Sequence, residues 1–477
     1  MSRSPFAELV MPALRWDAER GFAHLLPEIE RYLDLGVGGF ILFGGEASAV
    51  RKLTRELRAA ARHPLLIASD LERGAGQQVR GATSLPPLAA LAGLGEDAVR
   101  SAARITALEA RDLGINWVLA PVADLDVEPA NPIVQTRAFG EDPAAVAWLV
   151  KAWIESCQAE GVLACAKHFP GHGRTRADSH AELPVVESDE ATLHADLGPF
   201  EVAIACGVAA VMTAHVSYPA LDPSGAPATL SPSILTGLLR DRLGFHGLVV
   251  SDALIMEGVG GAASEGQVVV RAVAAGCDLL LYPRDVEGVI AALERAATEP
   301  GLAMRMERAR ERRAAAVRRA AAVQTLDEEA RSELASRGAE LCQQSVVMQR
   351  GTVSPLTGSA RIELVDDDAG GPYELPPRDE FARELELWGA GAQGHRSAGE
   401  SRIVLLFADV KSWKGRAALS AESRARLEEL LREPAVVVLF GHPRRSEDIP
   451  GDAPVVCAWS GDVAMQRAAA RRLVALT

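Results

Sequence analysis

Eight short apolar segments, separated by stretches of helical pattern, run through the first 300 residues and constrain the fold more than any other feature. Most are continuous apolar runs rather than alternating ones, as expected for parallel strands that are buried on both faces. Eight such strands with helical crossovers predict a (β/α)8 TIM-like barrel over residues 1–300. An open doubly wound sheet is the alternative, but no G-x-G-x-x-G motif follows the first strand. The predicted strands are Leu9–Leu14, Gly39–Phe43, Leu65–Ser69, Ile115–Val122, Val162–Ala166, Ala209–Ala214, Leu248–Ser251 and Asp278–Tyr282.

The remainder of the chain divides into two parts. Residues 301–340 are rich in Ala, Arg and Glu at helical spacing, which predicts a helical linker. Its arginines could form a nucleic-acid patch, but the interleaved glutamates favour a solvated helix. Residues 341–477 hold four further apolar strand segments, two helical segments and two long Gly-rich loops. This pattern predicts a smaller C-terminal α/β sandwich domain.

Charge and cysteine content argue against several classes of protein. The formal net charge of −14 and the pI of about 5.3 make a nucleic acid or an anionic membrane a poor main partner. The six cysteines form no C-x-x-C pair, so we interpret them as reduced thiols rather than as disulfides or zinc ligands. We find no secretory leader and no apolar run that could span a bilayer, and we expect a soluble cytoplasmic protein.

Polar residues close most of the predicted strands. In a (β/α)8 barrel these positions open on one face, at the C-terminal ends of the strands. A polar group at the end of a buried strand is costly unless it is paired or used, so their convergence predicts an active site. The residues are Asp70, Asp124, Lys167, His168, His215 and Asp252.

The stretch AKHFPGHGRTRADSHAELP, residues 166–184, carries the densest cluster of titratable groups. Three of the ten histidines, His168, His172 and His180, fall within thirteen consecutive residues, with Asp178 among them. The four side chains could be drawn as metal ligands. Pro170 and Gly171 between His168 and His172 exclude a helical i, i+4 pair, however, so a metal site is the less favoured interpretation.

The residue types at this face suit glycosyl transfer. That reaction needs one group to stabilise or attack an oxocarbenium-like carbon and another to protonate the leaving oxygen. Asp252 fits the first role, and Arg137 in TRAFGEDP is a further cation for the pocket. A G-x-S-x-G elbow and a phosphate-binding loop are both missing from the sequence.

Five motifs together resemble glycoside hydrolase family 3, and more narrowly its β-N-acetylglucosaminidases. They span the whole predicted barrel, so the resemblance implies its fold as well. They are DLERGAGQQVRG at 70–81, NPIVQTRAFGEDP at 131–143, KHFPGHG…DSH at 167–180, VMTAHVSYP at 211–219 and LGFHGLVVSDALIMEGV at 243–259.

The resemblance implies a role for each matching residue. Asp252 matches the catalytic nucleophile, His180 the general acid/base on a mobile loop, and Asp178 its dyad partner. A histidine near neutral pKa can give and take a proton, and a carboxylate beside it orients the ring. The residues that match the family's ligands for the hydroxyl groups of the terminal sugar are Asp70, Arg137, Lys167 and His168. Arg80 also matches such a ligand, but the motif that contains it departs from the family pattern. His215 is also predicted to bind substrate, with the capping of a buried carbonyl as its alternative.

Two departures from the family pattern affect the expected chemistry. Arg174 stands before Thr175 where the family usually has an acidic residue, and with Arg176 it predicts a more basic loop that favours an anionic aglycone. Ala253 replaces the usual second aspartate after Asp252, which removes a carboxylate near the nucleophile.

The activity implied is that of a retaining exo-glycosidase acting on terminal β-N-acetylglucosamine, from peptidoglycan fragments, through a covalent glycosyl-enzyme. No metal or organic cofactor is expected, and the partner is a small carbohydrate rather than a nucleic acid or a membrane. The oligomeric state is left open. Three alternatives remain: a phosphorylase that uses phosphate as acceptor, a β-glucosidase, and a barrel that only binds sugars.

Overall fold

The computed structural model describes residues 4–176, 183–256, 259, 263–355, 360–370, 375–389, 401–409, 411 and 414–476. Its first part is built on short parallel strands that follow the predicted apolar segments closely, because each segment is buried on both faces. They are β1 (Val10–Met11), β2 (Ala13–Arg15), β3 (Gly39–Phe43), β4 (Leu66–Ser69), β5 (Trp117–Val118), β6 (Cys165–Phe169), β7 (Ala210–Thr213), β8 (Leu248–Val250) and β9 (Leu280–Leu281).

These strands form a closed ring. Three parallel sheets, β2–β3–β4–β5, β6–β7–β8 and β1–β9, are joined by single bridges. Trp117 of β5 bridges to Leu163, and Val250 of β8 bridges to Leu279. β1 and β2 are two halves of one strand that is interrupted at Pro12, whose nitrogen has no hydrogen to donate. The ring therefore has eight strand positions, and the predicted (β/α)8 barrel is confirmed.

Helices follow the strands and cover the outside of the ring. Side-chain caps begin several of them: Asp142, Asp189 and Asp285 each accept from a backbone N–H three residues on, and Ser264 forms a capping box with Gln267. The helices are α1 (Leu26–Leu35), α2 (Ala47–Ala60), α3 (Leu88–Leu94), α4 (Glu96–Leu113), α5 (Pro143–Ala159), α6 (Glu190–Ala205), a π-helical segment (Ser233–Arg242), α7 (Glu265–Ala275) and α8 (Val286–Ala296).

The predicted helical linker is helical, but its first half is not fully solvated. Residues 301–340 contain two helices, α9 (Pro300–Arg319) and α10 (Glu328–Ser345). α9 lies against the barrel because Met306, Ala309, Arg313 and Ala316 make one buried stripe at helical spacing. The buried Arg313 guanidinium donates to carbonyl oxygens that precede the second and third barrel strands, so this helix closes the barrel floor.

The C-terminal part is a second α/β layer with its own cores on both faces of one sheet, in accord with the predicted sandwich. The sheet order is β10–β14–β13–β12–β11, with β10 antiparallel to β14 and the other pairs parallel. Edge strand β10 and helix α11 were not predicted. The elements are β10 (Val347–Arg350), β11 (Ala360–Asp366), α11 (Glu380–Gly389), β12 (Ser401–Ala408), α12 (Ala421–Leu430), β13 (Val436–Gly441), β14 (Val455–Cys457) and α13 (Val463–Leu476).

Candidate active site

A cavity of about 530 Å³ lies at the C-terminal ends of the barrel strands. This is the face that carries catalytic residues in barrel enzymes, and the volume suits a small ligand. The cavity is lined by five of the residues that were predicted from the sequence: Asp70, Arg137, Lys167, His168 and Asp252.

Four charged side chains form a network in the cavity wall. Lys167 Nζ lies 2.8 Å from Asp70 Oδ1 and 2.7 Å from Glu72 Oε1. Arg137 donates to both oxygens of Glu72, from Nε at 2.9 Å and from Nη2 at 2.8 Å. Two cations and two carboxylates therefore balance one another within the wall.

Pairing keeps the most buried members of this network ionised. The side chains of Lys167 and Glu72 are only 2% and 4% exposed. Burial acts to raise the pKa of Glu72, but Arg137 and Lys167 outweigh it and hold that pKa well below its ordinary value. Burial likewise disfavours the Lys167 ammonium, yet Asp70 and Glu72 raise the pKa of Lys167. Both groups are thus fixed donors and acceptors at neutral pH.

β6 presents two consecutive side chains to the cavity, which a regular strand does not do, because successive residues point to opposite faces. The pairing of β6 with β7 shifts register between Ala166 and Phe169. Such an irregularity re-aims a side chain. As a result Lys167 and His168 both line the cavity.

Asp124, two residues beyond Val122 at the end of the fourth predicted strand, holds the segment that follows β6. His168 Nδ1 lies 2.7 Å from Asp124 Oδ2, and the backbone N–H groups of His168 and His172 donate to Oδ1. Burial acts to raise the pKa of Asp124, but His168 lowers it below its ordinary value. Arg137 is held separately, by two hydrogen bonds from its guanidinium to Glu72.

His172 holds the loop that follows β6 through hydrogen bonds. Its Nδ1 lies 2.8 Å from Thr175 Oγ1, and its carbonyl oxygen accepts from Asn131 Nδ2 at 2.9 Å. Burial lowers the pKa of His172 to about 4, with a further contribution from the neighbouring His168. The ring is therefore neutral at physiological pH, which suits a structural hydrogen bond.

Asp252 follows β8 and is held by its own backbone. The N–H of Ala253 donates to Asp252 Oδ1 at 2.7 Å, and Leu254 N bonds to Leu281 O of β9. These bonds orient the carboxylate in the cavity wall.

His215, predicted as a substrate ligand or as a cap of a buried carbonyl, lies beside Asp252 but not among the residues that line the cavity. It is fully buried, with Nε2 3.3 Å from Ala253 O and Nδ1 2.7 Å from Thr229 Oγ1. The capping alternative is the one that fits, because His215 holds the carbonyl next to Asp252.

Arg80 also lies away from the cavity lining, in contrast to its prediction as a sugar ligand. Its Nε pairs with Glu46 Oε1 at 2.6 Å, and both side chains are about half exposed. The backbone of Arg80 bonds to Gly45 O and to Ala47 N at the start of α2, and its side chain is 56% exposed.

The two arginines that were expected to make the catalytic loop basic are paired elsewhere. Arg174 makes two hydrogen bonds to Asp196 of α6, and Arg176 Nε lies 2.8 Å from Glu128 Oε2. Neither lines the cavity, so the expected preference for an anionic aglycone loses this support.

Several cavity residues were missed by sequence reasoning. Glu72 stands in the same motif as Asp70, and its position just after a buried strand was a usable signal. The others could not be found from local pattern, since the chain brings them in from distant segments. They are Arg15, Arg73 and Tyr282 of the barrel and Asp409 and Lys411 of the C-terminal domain.

The predicted acid/base pair, Asp178 and His180, lies outside the described residues. Among the residues that the structure describes, no group of three or more His, Cys, Asp or Glu side chains could hold a metal ion. The described helices include none that is long and apolar enough to cross a bilayer.

Comparison with known proteins places this chain in a family. The model for the glycosyl hydrolase family 3 N-terminal domain matches residues 9–317. A β-N-acetylglucosaminidase/β-glucosidase from Cellulomonas fimi is 41% identical over 274 residues, which are 55% of this chain and about half (49%) of that protein's length. A β-hexosaminidase from Chromobacterium violaceum is 40% identical over 307 residues, 60% of this chain and 84% of its own.

One solved structure resembles both parts of the chain. It is a family 3 β-N-acetylglucosaminidase from Paenibacillus sp. str. FPU-7, 29% identical with a TM-score of 0.83. The match covers 100% of this chain and 97% of that one, so the two-domain arrangement is shared.

Proposed function

Because the chain belongs to glycosyl hydrolase family 3, we propose that it is a retaining exo-glycosidase that removes terminal β-linked N-acetylglucosamine. The observation that carries the proposal is the position of Asp252 in one cavity with Asp70, Lys167, His168 and Arg137. The relatives named β-hexosaminidase and β-N-acetylglucosaminidase favour the N-acetyl sugar over plain glucose.

The charged network is suited to a neutral sugar. A hydroxyl group can donate to Asp70 and accept from Lys167, Arg137 or His168, so each can be bound by a fixed, charge-assisted partner. His168 Nδ1 is engaged by Asp124, which leaves Nε2 as the ring nitrogen for the ligand. These contacts would orient the terminal sugar with its anomeric carbon towards Asp252.

The proposed reaction has two displacements at that carbon. In the first, an oxygen of Asp252 forms a bond to the anomeric carbon while the bond to the leaving oxygen breaks, and His180 gives its proton to that oxygen. In the second, His180 takes a proton from water, whose oxygen attacks the carbon and releases Asp252. The two inversions together retain the β configuration.

Asp252→Asn tests the nucleophile. With an aryl N-acetyl-β-glucosaminide we expect kcat to fall at least 1,000-fold, because the amide cannot form the glycosyl-enzyme. The first product seen by NMR should be the β anomer, and an α anomer would contradict a double displacement. Glu46→Gln, outside the cavity, is the matched control and should keep full activity.

His180→Ala tests the acid/base. The loss in kcat/KM should be large for a poor leaving group such as an alkyl alcohol and small for dinitrophenol, which departs without a proton. The pH–rate profile should lose the limb that a histidine gives. An equal loss with both leaving groups would remove His180 from proton transfer.

The finer parts of the proposal are a peptidoglycan fragment as natural substrate and the cytoplasm as location. Release of N-acetylglucosamine from a muropeptide digest, followed by chromatography, tests the first. Fractionation of cells followed by immunoblotting tests the second, and recovery outside the cytoplasmic fraction would contradict it.

The alternative activities can be separated by the same assays. Two cations near the candidate acid/base, Arg174 and Arg176, could attract phosphate, but within the described part of the chain both are paired with carboxylates. Product release should therefore be independent of added phosphate. Faster turnover of an aryl glucoside than of the N-acetylglucosaminide would point to a β-glucosidase.

The proposed reaction needs no metal ion, so the enzyme should keep full activity in the presence of a chelator. Loss of activity in the chelator that an added metal restores would contradict the reaction as written.

A further inference from the structure

The C-terminal domain contacts the barrel at the two loops that follow the third and fourth barrel strands. In the first loop, Arg73 Nη1 lies 2.8 Å from Asp462 Oδ2 and 3.6 Å from Asp409 Oδ2. Asp462 directly precedes α13, and Asp409 directly follows the end of β12. One barrel arginine is thus held between two carboxylates of the second domain.

In the second loop, Asp126 is the barrel residue that is held. Its Oδ2 lies 3.0 Å from Arg444 Nη2 and 3.1 Å from His442 Nε2. The backbone N–H of Arg444 donates to His442 Nδ1, so the proton of the neutral ring is on Nε2 and faces Asp126. Thr136 Oγ1, later in the same loop, is 3.4 Å from Asp409 Oδ1.

Both loops carry residues of the sugar site next to these contacts. Arg73 directly follows Glu72, which holds Lys167 and Arg137. Asp126 is two residues from Asp124, which holds His168. A backbone shift at either contact would therefore move the sugar ligands themselves.

The ion pairs between the two domains are more buried than ordinary surface ion pairs. The side chains of Asp409 and Asp126 are only 5% and 6% exposed, and those of Arg73, Arg444 and Asp462 are 21%, 21% and 27% exposed. Breaking a buried pair leaves an uncompensated charge and is far more costly than breaking an exposed one. Asp409 and Lys411 also line the cavity, so the second domain forms part of its wall.

We propose that the C-terminal domain is a positioning element of the active site: through Asp462, Arg444 and His442 it holds the loops that place the sugar ligands. Asp462 and Arg444 are not among the residues that line the cavity, so they act through Arg73 and Asp126 rather than on the substrate. The kinetic part of the test rests on the proposed glycosidase activity.

The test uses the full chain with Asp462→Asn, Arg444→Gln and the double variant. A misplacement of about 1 Å costs roughly 100-fold in rate. We expect about a tenfold loss in kcat/KM for each single variant and about 100-fold for the double, with Asp462→Glu recovering most of the loss. Arg426→Gln, which removes exposed pairs on the outer side of the same domain, is the matched control and should stay at the wild-type value.

The loss should be the same for aryl glycosides with different leaving groups, because the positioned residues hold the terminal sugar. A loss that differed more than tenfold between leaving groups would overturn the proposal in favour of direct contact with the aglycone. Equal kcat/KM for the double variant and the Arg426→Gln control would also overturn it.

Hydrogen exchange gives a measurement that does not depend on the substrate. Peptides spanning 71–85 and 123–140 should exchange faster in the double variant, while those of β7 and β8 stay as in wild type. Unchanged exchange in both loops would overturn the positioning role. If wild type turned over no glycoside but the loops loosened as expected, the proposed function alone would fail.

Discussion

Glu72→Gln is the substitution that most directly tests how the sugar site is held together. Glu72 accepts one hydrogen bond from Lys167 and two from Arg137 within a nearly solvent-free wall. The amide keeps the volume and one carbonyl acceptor but loses the charge. Its NH2 group would then face a guanidinium or an ammonium, and neither can accept a hydrogen bond.

The size of the effect follows from the charge count. In wild type two cations face two carboxylates; in the variant Lys167 keeps Asp70, and Arg137 loses the carboxylate that accepts two of its hydrogen bonds. Removing one partner of a buried pair costs about 3–5 kcal/mol. If about 3 kcal/mol of this is lost from the transition state, kcat/KM falls roughly 100-fold. The same loss in folding free energy would lower Tm by about 6–12 °C for a domain of this size.

The pH dependence gives the variant a signature. The pKa of Glu72 is depressed, so its contribution to stability is complete above its unfolded value, near 4.5, and is lost as the pH falls through the folded value. The difference in unfolding free energy between wild type and Glu72→Gln should therefore be constant from pH 6 to 8 and shrink below about pH 4.5.

Urea unfolding and turnover of an aryl N-acetyl-β-glucosaminide measure the two effects. The control is Glu46→Gln, which removes the same group from the exposed pair with Arg80 and should cost less than about 1 kcal/mol. The reasoning would be refuted if Glu72→Gln stayed within threefold of wild type in kcat/KM and within 1 kcal/mol in stability.

Three further predictions follow from burial and pairing. Arg80→Ala should change kcat/KM less than twofold, since Arg80 pairs with Glu46 outside the cavity lining, and a tenfold loss would restore it as a sugar ligand. Burial lowers the pKa of His172 from 6.5 to about 4, so in this pH range the unfolded chain takes up a proton that the folded protein does not. The free energy of unfolding should therefore rise by about 3 kcal/mol between pH 4 and 6.5. Urea titrations of His172→Gln should show a smaller rise over this range, and an equal rise would contradict the prediction. Burial raises the pKa of Cys206 to about 11 and of Cys342 to about 12, so the native protein should react slowly with a thiol reagent at pH 8, against rapid labelling in urea.

The barrel could be predicted because its physical cause is local. A parallel strand that is covered by helices outside and side chains inside must be apolar throughout, and each run of that kind became a strand. The predictions that failed depend on contacts between distant parts of the chain, which a short stretch of sequence does not reveal. From its sequence, α9 looks like a solvated helix. Arg313 is buried because the helix packs against the floor of the barrel, where its guanidinium donates to Gly38 O. β10 is half exposed at the edge of its sheet, so its residues show no continuous apolar run.

The grouping of charged side chains in one cavity was predictable for the same reason. Asp70, Lys167 and Asp252 follow apolar runs, and the geometry of a barrel brings such positions to one face. Which charge meets which was not predictable, because Glu72 and Arg137 are 65 residues apart and Arg73 and Asp462 are 389 apart. His215 shows the limit of the rule, since a polar residue after a strand can also cap the backbone.

Charge balance explains how a cavity proposed to bind a neutral sugar can contain so many ions. An isolated buried cation would be costly and would attract anions in place of sugars. Pairing Lys167 and Arg137 with Asp70 and Glu72 removes the net charge while keeping strong donors and acceptors in fixed places, so little reorganisation is needed when hydroxyl groups replace water. The same logic extends outward, because Arg73, the next residue after Glu72, is neutralised by carboxylates of the second domain. Each charged side chain in this series is therefore paired with an oppositely charged neighbour, from Lys167 and Arg137 to the carboxylates that hold Arg73. The geometry of the proposed sugar site thus depends on contacts with the C-terminal domain.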